Sequence, residues 1–179
     1  MQESSDAISR PQDPGPSARS LAARYTGHSM TTLYVDADAC PVTKEVLAAG
    51  RTHKIPVVLV GNTTQNLARH AGRAGVEAVE VGAGQDVADF AIISRLQPED
   101  IVVTGDLGLA AMVLGRGARA LAFRGREYLP ETIDMELAVR HAEQVHRRRG
   151  GRTRGPSPLE EEDREHFART LRRVLEGLR

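Results

Sequence analysis

The chain has no tryptophan and only three phenylalanines and three tyrosines among its 179 residues. Proteins that grip single strands without reading sequence stack the bases on aromatic faces, so an aromatic platform is excluded as the main binding device. A single cysteine, Cys40, rules out an intramolecular disulfide and a zinc site closed by thiolates of one chain. Lysine is nearly missing, with Lys44 and Lys54 the only two. The 24 basic and 24 acidic residues cancel, so the chain as a whole offers no field that attracts a polyanion. No stretch approaches the roughly 20 apolar residues needed to span a bilayer. Residues 1–20, rich in Pro and Ser, hold no apolar segment of the kind a secretory signal requires. Together these absences lead to the expectation of a cytoplasmic protein with no membrane attachment.

What is present divides the chain in two. Residues 1–30 carry Pro11, Pro14, Gly15 and Pro16 among small polar residues, and such a segment cannot bury enough apolar surface to offset its ordering entropy. It is expected to be a disordered extension. Residues 31–179 are long enough for one domain with a substantial core and too short for two comfortable ones.

Within that domain, short apolar runs alternate with helical periodicity. Leu33-Tyr34-Val35, Pro56–Val60, Val76–Val81, Ile101–Thr104 and Ala118–Phe123 read as strands. Val42–His53, Asp86–Leu96, Asp106–Leu114, Glu131–Arg148 and Glu160–Leu178 read as helices, the last two forming a C-terminal helical segment from about residue 131. The alternation predicts a single-domain three-layer α/β/α sandwich with a mostly parallel five-stranded sheet. Right-handed crossovers then gather the strand-to-helix loops on one edge, where open α/β sheets bind their ligands.

Aspartates fall at that edge. Asp36 and Asp38 stand one residue apart at the end of the first strand, where like charges are costly unless a proton or a cation is shared. Hard divalent ions such as Mg²⁺ prefer oxygen ligands and relieve such repulsion; the competing reading makes Asp38 a helix cap. Asp86 and Asp89, three apart, lie on one helical face. Asp86 after Gly84-Gln85 suits an N-cap, whereas Asp89 sits among apolar neighbours and wants a partner. Asp106 follows the fourth strand and either caps a helix or joins the other acids. Several acids converging at a strand edge is the design of a metal-dependent phosphodiesterase site.

Other features carry less. Gly82-Ala83-Gly84 opens like a dinucleotide fingerprint, but Val87 holds the place of the third glycine and the motif follows the third strand. Cys40 reads as a small buried hydrophobe, and the six histidines form no metal-spaced pair. A basic run, Arg140, Arg147, Arg148, Arg149, Arg152 and Arg154, contains Glu143 as its one acid. It reads either as a phosphate-binding patch or as a solvated linker between helices.

On these residues the chain resembles the YaiI/YqxD family of uncharacterised bacterial proteins, over essentially Thr31 to the C-terminus. The likeness is carried by Tyr34–Pro41 (YVDADACP), Val81–Ile92 (VGAGQDVADFAI) and Val103–Ala110 (VTGDLGLA). It extends to Asn62, to Arg124-Gly125 with Tyr128, and to Arg154-Gly155-Pro156 with Asp163, Arg164 and Phe167. Residues 1–30 lie outside it. Members look like relatives of PIN-type nucleases, which carry a parallel sheet and an acidic Mg²⁺ or Mn²⁺ site. The resemblance implies a PIN-like domain with Asp36 as the first-strand acid, Asp89 or Asp86 as the helix acid and Asp106 as the fourth-strand acid.

The leading expectation is therefore a metal-dependent ribonuclease or related phosphodiesterase. Asp36, Asp38 and Asp106 are its expected catalytic acids, and Asp36, Asp86, Asp89 and Asp106 its expected ligands for Mg²⁺ or Mn²⁺. Asn62, Arg124, Arg147, Arg148 and Arg154 are the expected contacts to an RNA substrate. A second reading takes Asp36-x-Asp38 as the opening of a haloacid-dehalogenase-like phosphatase, with Asp36 as nucleophile and Asp38 as acid/base. That class continues to Thr or Val where this chain has Cys40, and it needs a late lysine that is missing here. A third reading is a non-enzymatic RNA-binding module in which the acids cap helices.

Overall fold

A computed structural model of the chain describes residues 31–38, 40–62, 67–70, 72–82, 84, 86–149 and 157–178. The expected extension, residues 1–30, lies outside them. Five strands form one sheet: β1 Leu33–Asp36, β2 Val57–Asn62, β3 Val76–Val81, β4 Ile101–Val103 and β5 Arg119–Leu121. Five helices accompany them: α1 Thr43–His53, α2 Val87–Ile93, α3 Leu107–Gly115, α4 Pro130–Arg148 and α5 Glu161–Glu176. A 3₁₀ turn at Leu67–Arg69 lies between β2 and β3.

The strand order is β3-β2-β1-β4-β5, and every neighbouring pair is parallel. The sheet is thus wholly parallel rather than mostly so. Among the described residues the antiparallel pairing is a single bridge, from Leu121 at the end of β5 to Glu127.

Two apolar cores explain why the runs hold as strands. With a period of two, Tyr34, Val58, Val60, Val102 and Ala120 face one side, under α2, α3 and α4. Leu33, Val35, Val57, Leu59, Ile101, Val103 and Leu121 face the other, where Val42 and Val46 of the α1 segment and Phe167, Leu171, Val174 and Leu175 of α5 cover them. Both faces of the central strands are buried, so they read as continuous apolar runs rather than alternating ones.

The C-terminal helix is fastened as well as packed. Arg124 pairs with Asp163, and its other terminal nitrogen donates to the carbonyl oxygens of Ser157 at 2.6 Å and Pro158 at 3.0 Å. Gly125 permits that approach: its φ is +78°, and a Cβ there would meet the Phe167 backbone at 2.8 Å. Arg164 donates to the Pro41 carbonyl and lies 3.3 Å from Glu45. It thereby ties α5 to the turn that carries Asp36 and Asp38. A buried acid, Asp100, serves the opposite edge, accepting from the backbone N–H groups of Thr32 and Gln97, each at 2.7 Å.

Candidate acidic site at the sheet switch point

Sequence neighbours run outward from β1 in both directions, through β2 and β3 on one side and β4 and β5 on the other. The carboxyl ends of β1 and β4 therefore flank a topological switch point, the place where crossovers leave opposite faces and a crevice opens. Asp36 ends β1, opposite Val60 of β2. Thr104 follows β4, and its backbone N–H still donates to Leu121 of β5 at 3.0 Å.

Thr104 joins two of the acids. Its side chain is fully buried. The hydroxyl donates to Asp36 Oδ2 at 2.9 Å and accepts the Asp106 backbone N–H at 3.0 Å. One hydroxyl thus uses its proton on the first-strand acid and a lone pair on the fourth-strand segment.

Asp106 caps α3 through Oδ1, which accepts from Gly108 at 2.6 Å and Leu109 at 3.0 Å. The capping expectation therefore holds for this residue. Its second oxygen faces Arg140 Nη2 of α4 at 3.4 Å. Asp38 caps nothing: the residue preceding α1 is Val42, and no side chain caps that helix. Asp38 instead reaches across the end of β2, where Oδ1 accepts the Asn62 N–H at 2.7 Å. Gly61 makes room for it, since a Cβ there would stand 2.8 Å from Asp38 Oδ1. Asp86 occupies the N-cap position of α2 with φ +64° but makes no side-chain capping bond.

Asp89 lies one turn further into α2, a helix packed across β1, β2 and β3. Among the described residues it meets no hydrogen-bond donor and no cation. Burial, and then the charges of Asp36, Asp106, Asp86 and Asp38, push its carboxyl up to about 6. Burial also raises Asp36 above the ordinary carboxylate range, against the lowering effect of the Thr104 hydroxyl, and Asp38 and Asp106 add to the rise. The acids thus share one mouth and repel one another. Among the described residues no three or more Asp, Glu, His or Cys side chains are spaced to hold a single ion as they stand.

The remaining expected residues are placed as follows. Asn62 ends β2 with its N–H on Asp38. Arg124 is engaged in fastening α5. Arg147 and Arg148 are exposed on the last turn of α4, and Arg154 lies outside the described residues. Cys40 is half-buried, and burial pushes its thiol up to about 11, which leaves it protonated at neutral pH. No helix among the described residues is long and apolar enough to cross a membrane.

Sequence reasoning missed Thr104, Gly61 and Arg140 as parts of this site. A hydroxyl residue straight after a buried strand and two before an acid was a signal for Thr104. Arg140 stood out in the sequence as the start of the basic run, but nothing local marks it as the partner of Asp106, 34 residues away.

Residues 34–177 match the family described as "Uncharacterized BCR, YaiI/YqxD family". The chain is 41% identical over 150 residues to the UPF0178 protein of Parvibaculum lavamentivorans, covering 84% of this chain and 97% of that one. It is 40% identical over 143 residues to the UPF0178 protein of Exiguobacterium sibiricum, covering 80% and 95%. Its identity to a UPF0178 protein of Bacillus thuringiensis is 37% over 143 residues, covering 80% and 97%. No solved structure matches. With its model match spanning Tyr34 to Gly177, the chain belongs to the YaiI/YqxD family.

Proposed function

We propose that this protein is a divalent-metal-dependent phosphodiesterase acting on nucleic acid, with RNA the expected substrate. One observation carries the reading. Asp36 and Asp89, both raised by burial and by neighbouring acids, cap no helix and, among the described residues, meet no cation of their own at the switch point of a parallel sheet. Isolated like charges there are a cost to the fold, and a bound divalent ion would remove it.

The donor set is all carboxylate oxygen, which suits Mg²⁺ or Mn²⁺. The lack of a closed three-residue cage is compatible with that choice, because Mg²⁺ is commonly held by one or two carboxylates and completed by waters and substrate phosphate. Asp36 and Asp89 would hold the ion, with Asp38, Asp86 and Asp106 adding negative potential around it. When bound, such an ion supplies Lewis-acid chemistry, activating water and neutralising charge on a phosphoryl group. Thr104 orients Asp36, and Arg140 balances Asp106 while offering a guanidinium to phosphate. The phosphatase reading finds less support, since Lys44 is exposed and Lys54 follows α1 at the amino edge of the sheet.

Thermal melts of wild type and Asp36→Asn, with and without Mn²⁺, test the reading alongside cleavage of a fluorescent single-stranded RNA. At an Mn²⁺ concentration 100 times Kd the wild type should gain about 2.7 kcal/mol. The variant keeps an oxygen for Thr104, so the metal-free fold should be equally or more stable, while the Mn²⁺ response and Mn²⁺-dependent cleavage disappear. A variant that melts lower without metal and still responds to Mn²⁺ removes Asp36 as a ligand.

A further inference from the structure

Helix α4 has two apolar faces. Ile133 and Leu137 pack toward the sheet, while Met135 and Val139 are 67% and 55% exposed. The second face is solvent-exposed and lines a wide-mouthed cleft. Met135, Glu136, Val139, Arg140, Glu143 and Arg147 recur at helical spacing and line one wall of a cleft of about 500 Å³. The opposite wall is Gly105 and Leu107, at the start of α3, with Tyr128 and Arg126. That size falls within the range of small-ligand sites, roughly 300–1,000 Å³. The cleft is continuous with the acidic mouth, because Arg140 lines it and reaches Asp106.

Its charges are arranged unevenly. Arg140 stands at the Asp106 end. Arg126 is held by two bonds to Glu136, at 2.6 and 2.7 Å, with its guanidinium carbon 4.7 Å from the centre of the Tyr128 ring. A planar cation fixed in this way is a surface on which a base can stack. Glu136 and Glu143 would repel a second phosphate, yet they accept readily from ribose hydroxyls or an exocyclic amine. Leu107, Met135 and Val139 supply the apolar contact that a base or sugar takes and a bare phosphate does not.

We propose that this cleft is the subsite for one nucleoside monophosphate unit. Its base and sugar lie between α4 and the start of α3, and Arg140 leaves Asp106 to take its phosphate. The inference rests on the phosphodiesterase reading for its role, but the binding itself needs no metal. It also assigns Arg140 a position between two partners, so that removing it acts on each in the opposite sense.

Calorimetric titration of the full chain with AMP and with inorganic phosphate, in EDTA, tests the subsite. AMP should bind at least tenfold more tightly than phosphate. Met135→Glu, a change at an exposed helical position, should weaken AMP at least tenfold while leaving thermal stabilisation by Mn²⁺ as in wild type. Arg140→Ala should weaken AMP by a similar factor and leave Mn²⁺ binding equal or tighter, since Asp106 loses its cation. The subsite is overturned if AMP binds no better than phosphate, or if both variants bind AMP as wild type does. If AMP binds with this pattern and Mn²⁺ does not bind at all, the subsite stands and the metal reading falls.

Discussion

Replacing Asp89 with Asn tests the electrostatics of the site without reference to catalysis. The carboxyl is raised from 3.8 to about 6 by burial and by four neighbouring acids. A raised value in the folded state favours the protonated form. Stability tied to this group is therefore full below about pH 4 and is lost as pH rises through about 6. The displacement corresponds to roughly 3 kcal/mol, at about 1.36 kcal/mol per pH unit. Asp89 is only part-buried, and solvent screening reduces this to about 1–1.5 kcal/mol. Losing a negative charge from the first turn of α2 costs roughly 0.5 kcal/mol in return. Metal-free Asp89→Asn should then be more stable than wild type at pH 7.5 by about 0.5–1 kcal/mol, or roughly 1–4 °C in Tm. At pH 4 the gain should vanish, because the wild-type carboxyl is already protonated. Thermal melts in EDTA at the two pH values measure the difference. A variant less stable than wild type at pH 7.5, or stabilised equally at both, refutes the picture of Asp89 as an acid burdened by its neighbours.

Three further outcomes follow from individual contacts. Thr104→Val keeps the buried shape but strips Asp36 of its donor and Asp106 of its N–H acceptor. It should cost about 1–3 kcal/mol by chemical denaturation, with Thr104→Ser close to wild type. Gly61→Ala should drive Asp38 off the Asn62 N–H, visible as a shifted Asn62 amide resonance; an unmoved resonance would mean that the turn yields without losing the bond. Replacing Arg147, Arg148 and Arg149 with Ala should weaken RNA binding and flatten its salt dependence. An unchanged salt slope would leave these residues as the solvated end of α4.

The order and type of every strand and α-helix from Leu33 to the C-terminal helix were legible in the chain, though not the 3₁₀ turn at Leu67–Arg69, because a wholly parallel sheet leaves long apolar runs and its crossovers leave helical periodicity between them. The placement of Asp36, Asn62 and Asp106 just at or after strand ends was legible for the same reason. Alternatives that local pattern left open were decided by contacts made at a distance. Asp38 and Asp86 looked like caps and make no side-chain capping bond, whereas Asp106 does cap; Asp38 goes instead to the Asn62 N–H that the fold brings beside it. Arg124 and Arg140 look alike in sequence. Packing of α5 turns the first into a fastening for Asp163, and packing of α4 against α3 brings the second to Asp106. Burial of Asp89 beside Asp36 was beyond reach for the same reason. Residue type and spacing set which groups can ionise and which segments can pair, but the distance between groups 53 residues apart exists only once β1 and α2 are packed together.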